Sequence, residues 1–260
     1  MRFWLLPALL IGCGGGPADH DHGDHAHHDH GDHGDHGDHA KKGHSEHAEH
    51  AEKHANHGKH DGHEGHDTKH HRFDDPEKWA EVFDDPERNA WQQPAKVVAA
   101  LDLSPGMTVA DVGAGTGYFN PHLAAAVGPE GQVIALDLEQ SMVDYMTERA
   151  TRDGTPQVEA RTVAGDDPGL AAASVDRILV NNTWHHLPGR TAYAGKLAAA
   201  LKPGGKLVVV DFSKASEKGP PKKERLTPSE VTAEVTPAGF TLAQQVDLPD
   251  QYVLVYTSGS

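Results

Sequence analysis

Two acidic residues flank a glycine-rich turn near the middle of the chain. The stretch VADVGAGTGYF carries three glycines that alternate with small residues, Gly113, Gly115 and Gly117. Asp111 precedes this turn, and Asp137 ends the next apolar run. Glycine lets a ligand approach bare backbone, and a carboxylate at a strand end can accept both hydroxyls of a ribose. Because the turn lacks the Gly-Lys-Ser/Thr of a phosphate loop and has Tyr118 where a dinucleotide fingerprint needs glycine, it indicates another kind of nucleoside site.

A pair of histidines follows a later apolar run. The stretch NNTWHHL extends from Asn181 to Leu187, directly after 175–180. Such a position lies at the carboxyl edge of a parallel sheet, where ligands bind in open α/β folds. Histidine transfers protons near neutral pH, so His185 and His186 are candidates for a general base or a substrate contact. The alternative for either one is a hydrogen-bonded structural histidine.

Alternating strands and helices must position these groups. Apolar runs predict strands over 107–112, 132–136, 158–163, 175–180 and 206–212, and helices over 122–127, 140–152 and 189–201. A tight turn is predicted over 202–205. A further helix opens at Thr227 and ends at Gly239, and 240–246 and 252–256 read as a final antiparallel pair. The pattern predicts an α/β fold, with a doubly wound, mostly parallel sheet of seven strands and helices on both faces.

The glycine turn and the two acids resemble a known family. Asp-x-Gly-x-Gly-x-Gly, followed by an acid that ends the next strand, is similar to the class I S-adenosylmethionine-dependent methyltransferases. Leu-Lys-Pro-Gly-Gly at 201–205, before an apolar strand, is a second mark of that family. The resemblance covers about 103–212 and, more loosely, the rest of the chain. It implies a Rossmann-like methyltransferase fold with an antiparallel last strand, S-adenosylmethionine as the cofactor, and an unidentified small-molecule or lipid-like acceptor.

Residue roles follow from this resemblance. It implies that the cofactor is bound by Asp111, Gly113, Ala114, Gly115, Gly117, Asp137, Leu138, Asp166 and Asn181. Asp166 ends the third strand, where the family contacts the adenine amino group, and the adjacent Asp167 competes for that role. The stretch from Asn181 to Leu187 is similar to a stretch of this family that lines the methionine end of the cofactor and the acceptor.

The absence of an Asn/Asp-Pro-Pro-Tyr/Phe motif argues against adenine or glutamine methylation. The absence of cysteine from the domain excludes cysteine-nucleophile and thiol-dependent arsenic enzymes.

The first part of the chain has a different composition. Of the 22 histidines, all but three lie between Asp19 and His71, among Asp, Glu, Gly and Ala. With almost nothing apolar to bury, this segment is predicted to be disordered. Neutral imidazole is a common ligand for Zn, Cu and Ni. The expected metal-binding residues include His22, His25, His33, His36, His47, His50, His54 and His57. The alternative is a hydrophilic spacer.

The only cysteine lies near the N-terminus. Leu10-Ile-Gly-Cys13 resembles the lipobox of bacterial lipoproteins, which implies a lipidated Cys13, a membrane partner and a place in the cell envelope. Without that processing the protein would be cytoplasmic. The expected organisation is a signal peptide over 1–13, a histidine-rich segment over 14–71, N-terminal helices over 72–103 and a methyltransferase domain over 104–260. Two of these helices begin near Asp75 and Asp85, each inside a Phe-Asp-Asp-Pro-Glu repeat, and a third covers 94–101.

Three functions are consistent with these features. The first is methyl transfer to a small acceptor by a domain tethered through a metal-binding segment. The second is a membrane-anchored metal-buffering lipoprotein whose domain is a non-catalytic binding module, because an exported protein faces a compartment not expected to contain S-adenosylmethionine. The third is methylation of metals or metalloids bound by the tail. The net charge of −16 argues against a nucleic-acid partner.

Overall fold

The structure, a computed structural model, describes residues 75–259. Its strands are β1 (Thr108–Val112), β2 (Gln132–Asp137), β3 (Val158–Thr162), β4 (Val175–Asn181), β5 (Leu201–Phe212), β6 (Phe240–Asp247) and β7 (Gln251–Ser258). They form one sheet in the order β3-β2-β1-β4-β5-β7-β6. The first five strands are parallel, and β7 runs antiparallel to both β5 and β6. The predicted seven-stranded α/β fold is therefore confirmed.

Helices cover both faces of the sheet. They are α1 (Pro76–Phe83), α2 (Arg88–Gln92), α3 (Pro94–Leu101), α4 (Asn120–Val127), α5 (Gln140–Arg152), α6 (Arg190–Ala200) and α7 (Pro228–Val235). On one face, Leu197 of α6 and Val231 of α7 pack in a core cluster with β-strand residues. On the other face, Leu101 of α3 and Leu123 of α4 do the same. The strand order reverses between β1 and β4, so a crevice is expected at their carboxyl ends.

Several boundaries differ from the sequence-based expectation, and two of these differences have a clear local cause. The second helix begins at Arg88 and not near Asp85, because the Asp85 carboxylate accepts a hydrogen bond from the Glu87 N–H (2.8 Å) and closes a turn first. The strand β5 begins at Leu201, which pairs with Val175 in β4. The predicted turn is therefore a bulge at the start of this strand, where Gly204 has a φ of 77°.

Candidate functional site

The glycine turn is fixed by the carboxylate of Asp137. Oδ2 accepts a hydrogen bond from the Gly115 N–H (2.8 Å), and Oδ1 accepts one from the Glu139 N–H (3.1 Å). All three glycines of the turn have positive φ. A Cβ at Gly113 would overlap Thr183, and one at Gly117 would lie 2.5 Å from Asn120 Nδ2. Two of these glycines are therefore also required by close packing within the protein.

The first helix lies over the middle of this turn. A Cβ at Gly115 would lie 3.6 Å from the ring of Phe83, which stacks on Trp79 with the ring centroids 5.2 Å apart. The next residue, Asp84, pairs with Arg149 of α5 at 2.8 Å. The helices that precede the domain thus reach the predicted cofactor loop. Ala114, another predicted cofactor contact, is half-buried and packs against the cluster that contains Val143.

The two predicted carboxylates lie in different surroundings. Asp111 is only 2% exposed, and within residues 75–259 its carboxylate makes no hydrogen bond. Burial raises the pKa of Asp111 to about 7, with a further increase from Asp137 and an opposing effect of Arg88. Burial also raises the pKa of Asp137, although the backbone N–H groups of Glu139 and Gly115 oppose that shift. Each carboxylate oxygen has two lone pairs, so Asp137 retains acceptor capacity for ribose hydroxyls.

The residues predicted at the adenine end lie at the same sheet edge. Leu138 follows Asp137 and is 57% exposed, which leaves an apolar surface beside the carboxylate predicted to bind the ribose. The Asp167 carboxylate accepts the Gly169 N–H (2.8 Å) and pairs with Lys196 (3.1 Å). Asp166 is exposed, and its carboxylate makes no such bond with any residue of 75–259. Of the two competing acids, Asp166 is therefore the one left available for a ligand.

The histidine pair follows β4 in a short 3-10 turn. His185 Nδ1 lies 2.8 Å from Asp211 Oδ2, and both side chains are almost completely buried. Because a carboxylate only accepts, Nδ1 carries a proton, and in the neutral imidazole Nε2 is then the nitrogen with the lone pair. Nε2 is buried, and no hydrogen-bond partner for it is found among the described residues. The ring of the exposed His186 packs against that of His185 at 4.0 Å.

Buried polar residues that the sequence analysis did not assign to the site complete it. Gln92 of α2 is fully buried, and its Nε2 donates to Asn181 Oδ1 (3.1 Å) and to Gln251 Oε1 (2.7 Å). Gln251 Nε2 in turn donates to Asn182 Oδ1. These contacts join α2 to the ends of β4 and β7, so Asn181, predicted to contact the cofactor, also supports the helix above it.

Arg88 is a second such residue, and sequence pattern alone does not separate it from Lys78. Both occupy the same place in the Phe-Asp-Asp-Pro-Glu repeat. Lys78 is exposed on α1, whereas Arg88 is 8% exposed and donates to Gln92 Oε1. Asp211 lies near the end of β5, and no local signal in the sequence predicts its contact with His185.

The residues predicted to bind metal and lipid belong to the part of the chain before residue 75. Within residues 75–259 no group of three or more His, Cys, Asp or Glu side chains is arranged to hold a metal ion. The predicted metal-binding histidines, from His22 to His57, and Cys13 lie outside the described residues. Across the described part of the chain, no helix combines the length and apolar character needed to cross a membrane.

A mostly parallel sheet of this strand order, with an antiparallel β7, a glycine turn after β1 and an acid ending β2, defines a Rossmann-like methyltransferase fold. A family model described as a methyltransferase domain matches residues 109–205. The crystal structure of a SAM-dependent methyltransferase from Aquifex aeolicus is 31% identical and superposes with a TM-score of 0.67, over 71% of this chain and 99% of that one. The chain therefore belongs to the S-adenosylmethionine-dependent methyltransferases.

Curated relatives match over shorter regions. Nocamycin O-methyltransferase of Saccharothrix syringae is 30% identical over 112 residues, which cover 43% of this chain and 40% of that protein. Demethylmenaquinone methyltransferase of Desulfitobacterium hafniense is 29% identical over 127 residues, which cover 48% and 49%. The chain thus spans about half or less of the length of these relatives.

Proposed function

We propose that this protein transfers the methyl group of S-adenosylmethionine to a small-molecule acceptor. The observation that carries the proposal is the Asp137 carboxylate, which holds the glycine turn through Gly115 at 2.8 Å and retains free lone pairs. One residue both shapes the loop and offers a ribose contact. Family membership and the names of the relatives support this reading.

The described residues fit the cofactor at three points. The Asp137 carboxylate accepts the ribose hydroxyls, the exposed Leu138 packs on the adenine, and the exposed Asp166 accepts the adenine amino group. The buried Asp111 accepts no hydrogen bond from the described residues, and the amino group of the methionine portion provides a donor. When bound, S-adenosylmethionine supplies a methyl group already activated by its sulfonium. The protein therefore needs to align the acceptor and exclude water.

The acceptor that suits this site carries an acidic hydroxyl, such as an enol or a phenol. The buried His185 Nε2 takes the hydroxyl proton, and Asp211 stabilises the imidazolium that forms. The negative charge left on the acceptor oxygen, or on the carbon conjugated with it, makes either atom nucleophilic. The relatives include proteins named as an O-methyltransferase and as C-methyltransferases, which is consistent with both outcomes.

Nucleoside binding tests the proposal. Full-length protein should bind S-adenosylmethionine by titration calorimetry, and Asp137→Ala should lose at least about tenfold in affinity because a charge-assisted hydrogen bond contributes about 1.5–3 kcal/mol. Asp167→Ala is the matched control, since this carboxylate is already engaged by Gly169 and Lys196. An Asp137→Ala variant that binds like the wild type would contradict the ribose assignment. The acceptor would be found by following radiolabelled methyl in an envelope extract.

We also propose roles for the segments before the domain. The spacing of histidines in residues 20–71 supports weak, interchangeable binding of Zn, Cu or Ni, and the lipobox-like stretch at Cys13 supports lipid anchoring in the cell envelope. Zn(II) titration of the full chain against a chain that lacks 20–71 tests the first role. Equal Zn(II) uptake by the two chains would contradict metal binding by residues 20–71. If the Cys13→Ser variant partitions into membranes as the wild type does, lipid anchoring through Cys13 is contradicted.

A further inference from the structure

The buried histidine of the site, His185, lies in a 3-10 turn of three residues, Trp184–His186, between β4 and α6. Two backbone hydrogen bonds close the turn, to the carbonyl oxygens of Thr183 (2.9 Å) and Trp184 (3.2 Å). A single turn of this kind is a weak element, because its hydrogen-bond geometry is poorer than that of an α-helix. Side-chain contacts must therefore fix the direction of the His185 ring.

Glu234 of α7 binds the chain on both sides of this histidine. Its Oε2 accepts a hydrogen bond from Nε1 of Trp184 (2.9 Å), the residue before His185. The same oxygen accepts a hydrogen bond from Arg190 Nε (2.8 Å), and Oε1 accepts one from Arg190 Nη2 (2.7 Å). Arg190 is the first residue of α6, so the two ends of the segment 184–190 meet on one carboxylate. Charge-assisted, bidentate hydrogen bonds of this kind are stronger and more directional than neutral ones.

The burial of Trp184 distinguishes this arrangement from a surface ion pair. Its indole is fully buried, in the core cluster that includes Val231 of α7, whereas the side chains of Arg190 and Glu234 are 28% and 22% exposed. An arginine–glutamate pair alone at such exposure contributes little to stability. A buried indole N–H, in contrast, needs a hydrogen-bond partner, and Glu234 accepts its hydrogen bond. Movement of Glu234 would therefore leave a buried donor unpaired next to His185.

Asp211 of β5 provides the contact with the histidine ring itself. His185 Nδ1 lies 2.8 Å from Asp211 Oδ2, and both side chains are almost completely buried. Asp211 thus fixes the tautomer, whereas Glu234 fixes the backbone from which the ring projects. Because a hydrogen bond weakens steeply with distance and angle, a shift of that backbone would separate Nδ1 from the carboxylate. The unpaired Nε2 would then no longer be held in one place.

We propose that Glu234 is a positioning residue for methyl transfer, which holds Trp184 and Arg190 so that His185 presents Nε2 to the acceptor. This inference rests on the proposed function, in which His185 takes the proton of the acceptor. It assigns a part in the reaction to α7, a helix 44 to 50 residues along the chain from the two groups that it holds. Glu234 acts through these two partners and the turn between them.

The tautomer of His185 provides a readout that needs no acceptor. In proton–nitrogen correlation spectra of the imidazole rings of the full-length protein, recorded at alkaline pH, His185 should carry its proton on Nδ1. Its signal is assigned by its absence from His185→Gln. Glu234→Ala should show both tautomers in exchange, and Glu234→Gln, whose amide oxygen can accept the indole N–H, should restore most of the wild-type signal. If Glu234→Ala does not fold, Trp184→Phe, which removes the indole donor and keeps an aromatic ring, should show the same exchange.

The rate of methyl transfer separates positioning from binding. The probe is the initial rate at which radiolabelled methyl passes from S-adenosylmethionine to an envelope extract. Glu234→Ala should lower this rate by about tenfold or more, because a small displacement of a reacting group is costly. Affinity for S-adenosylmethionine in titration calorimetry should not change. Glu234→Gln should recover most of the rate.

Glu230→Ala is the matched control on the same helix. The Glu230 carboxylate accepts the Thr227 N–H (2.6 Å) at the start of α7 and pairs with Lys214 (3.1 Å). This variant weakens the start of the helix and leaves the contacts of Glu234 in place, so it should keep the His185 signal and the rate. The proposal is overturned if a folded Glu234→Ala keeps both, or if Glu230→Ala loses them equally. If the wild type does not bind S-adenosylmethionine, the proposed function fails, while the tautomer comparison still decides whether Glu234 holds His185.

Discussion

At the scale of single residues, Asp111 makes the stability of the ligand-free protein depend on pH. Its pKa is about 7 in the folded protein, against an ordinary value of 3.8, because burial disfavours the carboxylate more than Arg88 favours it. Between these two values unfolding releases a proton, so the contribution of Asp111 is most favourable at low pH and is lost as the pH rises to about 7. The free energy of unfolding therefore changes by at most about 1.4 kcal/mol per pH unit through this group.

Asp111→Asn removes this dependence. The variant should gain stability relative to the wild type as the pH rises from 5 to 8, measured by urea unfolding at both values. Asp167→Asn is a suitable comparison, because hydrogen bonds with the Gly169 N–H and Lys196 lower the pKa of that exposed carboxyl. Asp167 is therefore ionised in both the folded and the unfolded protein from pH 5 to 8, and the stability difference between this variant and the wild type should not change over that range. An equal stability difference between wild type and Asp111→Asn at the two pH values would contradict the account of Asp111.

The two adjacent histidines should differ in their effect on the reaction. His185 is ordered by Asp211, whereas His186 is exposed beside it. With an acceptor in hand, His185→Gln should lower kcat by about 100-fold or more, since the proton acceptor is lost. Asp211→Asn should lower kcat and change its pH profile, because an amide no longer fixes the tautomer of His185, while nucleoside affinity stays the same. His186→Gln is the comparison, and a loss of kcat confined to that variant would reverse the assignment.

At the scale of elements, the short helix α2 depends on one side chain. Gln92 is fully buried and donates to both Asn181 and Gln251, so Gln92→Ala leaves two acceptors without a donor. Each buried group left unpaired costs about 1–3 kcal/mol. We expect a loss of that order for Gln92→Ala in urea unfolding. Gln245→Ala, which removes an exposed amide from β6, should have little effect, and a loss of similar size in both variants would rule out a special role for Gln92.

The elements themselves were largely predictable, and the contacts between them were not. The period of apolar residues predicts α5 over 140–152 and α3 over 94–101, and both are found with these bounds. The position of Asp137 at the end of β2 was predictable, because an acid that closes an apolar run is a local pattern in the sequence. Gln92 and Asp211 act through partners farther along the chain, Gln251 for Gln92 and His185 for Asp211. No spacing in the sequence encodes those pairings, since they arise only when the sheet brings its strand ends together.

At the scale of the whole described region, the candidate site lies between the edge of the sheet and a cover formed by α1 and α2. Phe83 at the end of α1 contacts the glycine turn, and Trp91 of α2 lies 5.4 Å from the ring of Phe212 at the end of β5. The fixed part of the site therefore belongs to the sheet, and the part that encloses a ligand belongs to the helices before β1.

Hydrogen exchange of the full-length protein can follow this cover. Saturation with S-adenosylhomocysteine should slow amide exchange in peptides from 76–92, because Phe83 at the end of α1 lies over the glycine turn that the ligand would occupy. Peptides from β6, which forms the far edge of the sheet, should not change. If ligand protects the turn alone in the wild type, the helices do not close over the site, and α1 and α2 serve only to pack on the sheet.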